Sequence, residues 1–191
     1  MKSFVEIMSI LSLSVLATTN SFHLVAAEHN FAVNTQIKNY GKHFFVKEGL
    51  NLPKDSQFKV AFDVAEQGEA TAVNRQFDSL ARFINMHVTH GISADNIQLA
   101  LVIHGKAGFD LLNDKTFQKH QKSLGIDVTA NPNTLLIDEL LKNKVKIYIC
   151  GQSAAYIGIK KEDLHSGVEM SLSAMTAHAV LQQKGYTLNP F

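Results

Sequence analysis

An almost unbroken apolar run from Asn96 to Ile103 most constrains how this chain can fold. A run of this length without alternation is typical of a strand that is covered on both faces, as in a parallel sheet. It follows another strand pattern, Lys59 to Val64, and a stretch from Ala70 to His90 with apolar residues at helical spacing. The order strand, helix, strand predicts a βαβ unit.

The remaining chain continues this alternation. The pattern predicts strands at residues 44–46, 144–149 and 168–172, and an edge strand or tail at 186–191. It predicts helices at 108–122, from Asn131-Pro132 to 142 and at 173–184. We therefore expect an α/β fold, with three α/β/α layers around a mostly parallel sheet of about five strands.

The N-terminus has the features of a signal peptide. Lys2 precedes an apolar stretch, Ile7 to Ala17, that is too short to span a bilayer, and small residues at 25 and 27 suit a signal peptidase. We expect residues 1–27 to be removed, so that the protein is exported, to a periplasm or another extracytoplasmic space, without a membrane anchor. The alternative is an uncleaved amphipathic N-terminus. Residues 28–58 would form a lead-in segment before the α/β domain at 59–191.

Composition excludes several functions. Lys plus Arg total 18 against 17 Asp plus Glu, a net charge of +1, which argues against nucleic acid as a partner. The nine histidines include no helical i, i+4 pair, and nucleotide-binding glycine motifs are missing, so we expect no metal and no cofactor. The single cysteine, Cys150, cannot form an intrachain disulfide.

Polar residues follow the predicted strands, and the carboxyl ends of parallel strands meet at one edge, where ligands bind. The candidates there are Glu66, Gln67, His104, Cys150, Gln152, Ser153 and Ser173.

Cys150 is the strongest candidate, because it ends a strand and is followed by a small polar turn that predicts a helix start. A thiol at a helix N-terminus has a lowered pKa and becomes a nucleophile. The alternative is a buried structural cysteine, although strand alternation places Cys150 in phase with Lys146 and Tyr148. His104 could stabilise the thiolate or move protons, and the alternative is that it hydrogen-bonds a loop carbonyl. Glu66 could orient His104, and the alternative is that it caps the first helix.

Three segments resemble the DsrE/DsrF-like family, specifically its exported members with a signal peptide. They are KIYICGQSA at 146–154, GVEMSLSAMT at 167–176 and LQQKGY at 181–186, within a likeness that covers 59–191. The resemblance implies a flavodoxin-like subunit that assembles into trimers or hexamers. It also implies that Cys150 carries a persulfide and exchanges sulfur with a donor or acceptor thiol protein.

Three interpretations follow for Cys150. The first is an exported sulfur carrier or sulfurtransferase-type protein, with His104 and Glu66 in support. The second is a non-enzymatic, oligomeric small-ligand-binding protein with a structural Cys150, and the third is an intermolecular disulfide between two copies.

The helix at 173–184 has an apolar band wider than one sheet face requires. Either a second subunit or the lead-in segment would cover it, with Met175 filling a gap and His178 at the rim. We expect a homo-oligomer.

Overall fold

The computed structural model describes residues 31–32, 35–49 and 51–189, and the predicted signal peptide lies outside this range. Within it, five strands form one sheet whose pairings are all parallel. The strands are β1 (Phe58–Val64), β2 (Ile97–Ile103), β3 (Lys146–Cys150), β4 (Val168–Ser171) and β5 (Thr187–Asn189), in the spatial order β4-β3-β2-β1-β5. The parallel sheet predicted from the apolar runs is confirmed.

Five α-helices accompany the sheet in the described residues: α1 (Arg75–Thr89), α2 (Asp114–Ser123), α3 (Thr134–Lys142), α4 (Gly151–Ile157) and α5 (Ala174–Gln183). Short 3₁₀ turns cover Ala94–Asn96, Gly105–Leu111 and Lys161–Asp163.

Two predicted helix starts were wrong, because asparagine caps decide where the helices begin. The Asn74 side chain accepts the Gln76 N–H, so α1 starts after it rather than at residue 70. The predicted helix at 108–122 is split into a 3₁₀ turn and α2, since Asn113 caps α2 by accepting the Thr116 N–H.

Different helices cover the two faces of the sheet. On one face, large side chains such as Phe62 and Leu101 pack with α1, α2 and α3 in the main core. On the other face, the small residues Ala61 and Ala100 lie beneath Ala177 of α5. Small side chains on both elements allow a close approach of α5, and the result is the predicted three-layer, flavodoxin-like α/β/α fold.

The described part of the lead-in segment packs on α1 and not on α5. The fully buried Asn85 accepts the Ile37 N–H at 2.8 Å and donates to the carbonyls of Ile37 and Tyr40 at 3.0 and 2.9 Å. Gly41 has φ +64°, and a Cβ there would lie 2.4 Å from the Ala81 carbonyl carbon. The lead-in segment therefore does not cover α5 in this range.

The strand predicted at residues 44–46 is wrong, because these residues are exposed and pair with no sheet strand. No helix in the described ranges has the length and apolar character that crossing a membrane requires.

Candidate functional site

Three polar side chains form a row across the carboxyl edge of the sheet, on the face that α5 covers. Asp63 is in phase with Ala61 of β1, and Cys150 is in phase with Tyr148 of β3, both of which pack toward α5. Ile103 pairs with Ile149, so His104, whose backbone is still extended, comes next to Cys150 in the register. Neighbouring strands are about 4.8 Å apart, and the strand order gives the row Cys150, His104, Asp63.

Cys150 is the N-cap of α4, as its position in the sequence predicted. Its sulfur accepts the Ser153 N–H at 3.5 Å, and the residue is only 6% exposed. Burial by itself would raise the pKa of the thiol. Hydrogen bonds from the Ser153 hydroxyl and from the N–H groups of Ser153, Ala174 and Gln152 outweigh it, so the pKa of Cys150 is lowered. The thiolate is therefore more abundant than for a free cysteine.

A second hydrogen bond of Ser153 sets the direction in which its hydroxyl hydrogen points. Its hydroxyl oxygen accepts the Gly105 N–H at 3.1 Å, from the residue after His104. Because that oxygen accepts from Gly105, the hydroxyl hydrogen remains available for donation to the Cys150 sulfur. Ser153 thus joins the ends of β2 and β3 at the thiol.

Asp63 connects two imidazoles. Its Oδ2 lies 3.1 Å from Nε2 of His104, and its Oδ1 lies 2.7 Å from Nε2 of His178 in α5. Burial would raise the pKa of the Asp63 carboxyl, but hydrogen bonds from His178 and then His104, with the charges of both, lower it. The carboxylate is held ionised between them.

All of these groups line one cleft of about 320 Å³ at the sheet edge. It contains five residues predicted from the sequence: His104, Cys150, Gln152, Ser153 and Ser173. Asp63 and His178 complete its polar wall, and Ala174 and Met175 supply apolar surface. Ser173 also caps α5 by accepting the Thr176 N–H at 3.0 Å, so the cleft lies at the starts of both α4 and α5.

Glu66 and Gln67 do not line this cleft. Asp63, rather than Glu66, is the carboxylate that contacts His104. Asp63 lies on the face of the sheet that α5 covers, whereas Glu66 has the same phase as Val64 and belongs to the other face. Glu66 is exposed, and its carbonyl accepts from the Asn74 side chain, which itself caps α1. The sequence did contain a signal for Asp63: it is a charged residue in an otherwise apolar strand end.

A larger hollow, of about 610 Å³, lies at the opposite edge of the sheet. It is lined by Phe44, Leu52, Phe58, Met86 and His90 among others, and Phe58 is the first residue of β1. Its lining contains neither the thiol nor a carboxylate. Across the described residues, no group of three or more His, Cys, Asp or Glu side chains is arranged to hold a metal ion.

The fold and this site define an α/β/α protein with one activated thiol at the carboxyl edge of a parallel sheet. The profile of the DsrE/DsrF-like family matches residues 59–190, and the chain belongs to that family. The fold is also similar to a solved structure, the protein of unknown function MTH1491 from Methanobacterium thermoautotrophicum. The two share 14% identity and a TM-score of 0.51 over 71% of this chain and 100% of the other. No curated protein matches the sequence.

Proposed function

We propose that the protein carries sulfane sulfur as a persulfide on Cys150 and passes it to another thiol. The observation that carries this proposal is the position of Cys150 as the N-cap of α4 at the wall of a cleft, where its sulfur accepts the Ser153 N–H. The lowered pKa of the thiol agrees with this geometry. Membership in a family that is linked to sulfur relay supports it.

Both steps of a sulfur relay need a reactive thiolate and open space beside it. A thiolate must first attack the outer sulfur of a donor, and the resulting persulfide must then be attacked by a second thiol. Cys150 itself is mostly covered, but a sulfur atom added to it would extend into the cleft of about 320 Å³. The cleft therefore leaves room for the terminal sulfur and for a small donor.

The test is uptake of one sulfur atom. After treatment with inorganic polysulfide and removal of the excess, intact mass spectrometry of the wild-type protein is expected to show an added sulfur. Cys150→Ser is the matched control, because it retains a side chain of similar size without the thiol. If treatment adds no more mass to wild type than to the variant, each compared with its own untreated sample, the proposal is refuted.

A structural Cys150 in a small-ligand-binding protein is the competing function, favoured by the low exposure of Cys150 and by the 610 Å³ hollow. An aromatic disulfide reagent separates the two. A structural thiol reacts only as fast as the protein unfolds, whereas a carrier thiol reacts in the native state. The third interpretation, a disulfide between two Cys150 residues, predicts a dimer band on a non-reducing gel.

Export of the mature chain is part of the proposal, and it is supported by the N-terminal pattern at residues 1–27. In an extracytoplasmic compartment, the donor or acceptor would be a thiol protein of that compartment. Expression of the full chain, followed by N-terminal sequencing of the secreted product, tests this; a start at Glu28 is the expected result, and a retained Met1 would contradict it.

We also propose that the protein is a homo-oligomer, a trimer or hexamer by analogy with the family. Large apolar side chains lie exposed along α5 and the turn before it, with Leu172 at 71%, Met175 at 80% and Val180 at 41% exposure. The described lead-in segment packs on α1 and leaves this surface open. Light scattering is expected to give an oligomer for wild type and a smaller mass for Val180→Glu; a wild-type monomer would reject the assembly.

A further inference from the structure

The two imidazoles on Asp63 have a defined tautomer. A carboxylate only accepts hydrogen bonds, so the Nε2 atoms of His104 and His178, at 3.1 and 2.7 Å from its oxygens, carry the hydrogens. The remaining nitrogen, Nδ1, is then the atom that takes up or releases a proton. Within the part of the chain that the structure describes, neither Nδ1 has a hydrogen-bond partner.

The two histidines differ in exposure and in attachment. The His104 side chain is 36% exposed and follows β2, beside Cys150 in the register. The His178 side chain is 16% exposed and comes from α5, where it holds the second oxygen of Asp63. His104 can therefore exchange a proton with the cleft and solvent, whereas His178 fixes the carboxylate.

The order of groups across β3, β2 and β1 is thiol, imidazole, carboxylate, the order of nucleophile, base and orienting acid in a triad. Within the described residues the imidazole contacts the carboxylate directly, whereas the thiol contacts Ser153. We propose that His104 carries the proton during sulfur transfer, that Asp63 is its positioning residue, and that His178 holds Asp63 in place. This inference rests on the proposed function of Cys150.

The transfer moves one proton from Cys150 to the leaving thiolate, and His104 is the group that we propose carries it. Through a water molecule in the cleft, the Cys150 thiol gives its proton to Nδ1 of His104, and the thiolate attacks the outer sulfur of a persulfide donor, R–S–SH. The S–S bond of the donor breaks as a new S–S bond forms on Cys150, and the leaving R–S⁻ takes the proton from His104. The net reaction, Cys–SH plus R–S–SH giving Cys–S–SH plus R–SH, needs no external oxidant or reductant.

The ionisable groups that face His104 across the cleft are few. They are Asp63 from β1, Cys150 from β3 and His178 from α5, and the other lining side chains, such as Gln152, Ser153 and Met175, do not ionise. Differences between the pH profiles of wild type and variants, measured with the same donor, therefore report on this cluster of side chains.

The experiment measures the rate of persulfide formation on Cys150 from glutathione persulfide, quenched by alkylation and read by mass spectrometry across pH. We expect His104→Gln and Asp63→Asn to slow the reaction at neutral pH by at least about tenfold, a modest share of what acid–base catalysis contributes. The shape of the pH profile should change in both variants, because each one interrupts the path that carries the proton. Sulfur uptake at completion should equal that of wild type.

His178 supplies the matched pair of variants. His178→Leu should resemble Asp63→Asn, whereas His178→Gln, which retains a donor for Asp63, should restore part of the rate that His178→Leu loses. If wild type takes up no sulfur, the proposed function fails. If wild type loads sulfur but folded Asp63→Asn and His104→Gln variants load at the same rate with an unchanged profile, the proton path through His104 is refuted and the carrier function stands.

Discussion

Replacement of Ser153 by alanine tests the origin of the lowered pKa at Cys150. The substitution removes one hydroxyl donor but leaves the backbone N–H that lies 3.5 Å from the sulfur. The N–H groups of Gln152 and Ala174 also remain. Because burial still disfavours the thiolate, we expect the pKa of Cys150 in Ser153→Ala to rise.

The magnitude follows from the value of one charged hydrogen bond. Hydrogen bonds to charged groups contribute about 1.5–3 kcal/mol, and water from the adjoining cleft will replace part of the lost bond. A net loss of about 1.4 kcal/mol lowers the ratio of thiolate to thiol by about tenfold. Below the thiol pKa, the rate of alkylation should fall by the same factor, because the thiolate is the reacting species.

The assay is the pH dependence of iodoacetamide alkylation, which is simple because Cys150 is the only cysteine in the chain. Gln152→Ala is the matched control: it removes a side chain that contacts the Leu172 carbonyl at 3.3 Å but keeps the backbone donor to Cys150. Its alkylation profile should overlay that of wild type. An unshifted profile for Ser153→Ala, or equal shifts in both variants, would refute the assignment of the effect to the hydroxyl.

Three further outcomes concern stability. In Gly151→Ala, the new Cβ would lie 2.5 Å from the Ser171 carbonyl oxygen, so thermal unfolding should show that the free energy of unfolding falls by about 2 kcal/mol or more. Gly125 has φ +77° and open space around it, so Gly125→Ala should lower the free energy of unfolding by only about 1 kcal/mol. Asn85→Ala removes the four hydrogen bonds that its side chain makes with the lead-in segment and should speed proteolysis of that segment. Unchanged cleavage would contradict the packing of the segment on α1. The lowered pKa of Asp63 contributes stability that is present above about pH 4 and is lost as the pH falls further. The urea concentration at the midpoint of unfolding should therefore decline less for Asp63→Asn than for wild type as the pH falls toward about 3.

The amino-acid sequence by itself determined the architecture, because apolar periodicity is a local property. The run at 96–103 predicted a doubly covered strand, and it is β2, with Ile97–Ile103 almost entirely buried. The alternation around Lys146 and Tyr148 also gave the phase of Cys150, and the small polar residues after it gave the start of α4. The thiol could therefore be located before its surroundings were known.

The tertiary structure alone decided the partners of that thiol. Sequence order placed Glu66 nearest to a strand end, but the phase of β1 turns Asp63 toward α5 and leaves Glu66 exposed. His178 is 115 positions from Asp63 in the chain, and no local pattern connects them. Their contact depends on the packing of α5 over small residues such as Ala61 and Ala100, which is a property of two distant surfaces rather than of either segment.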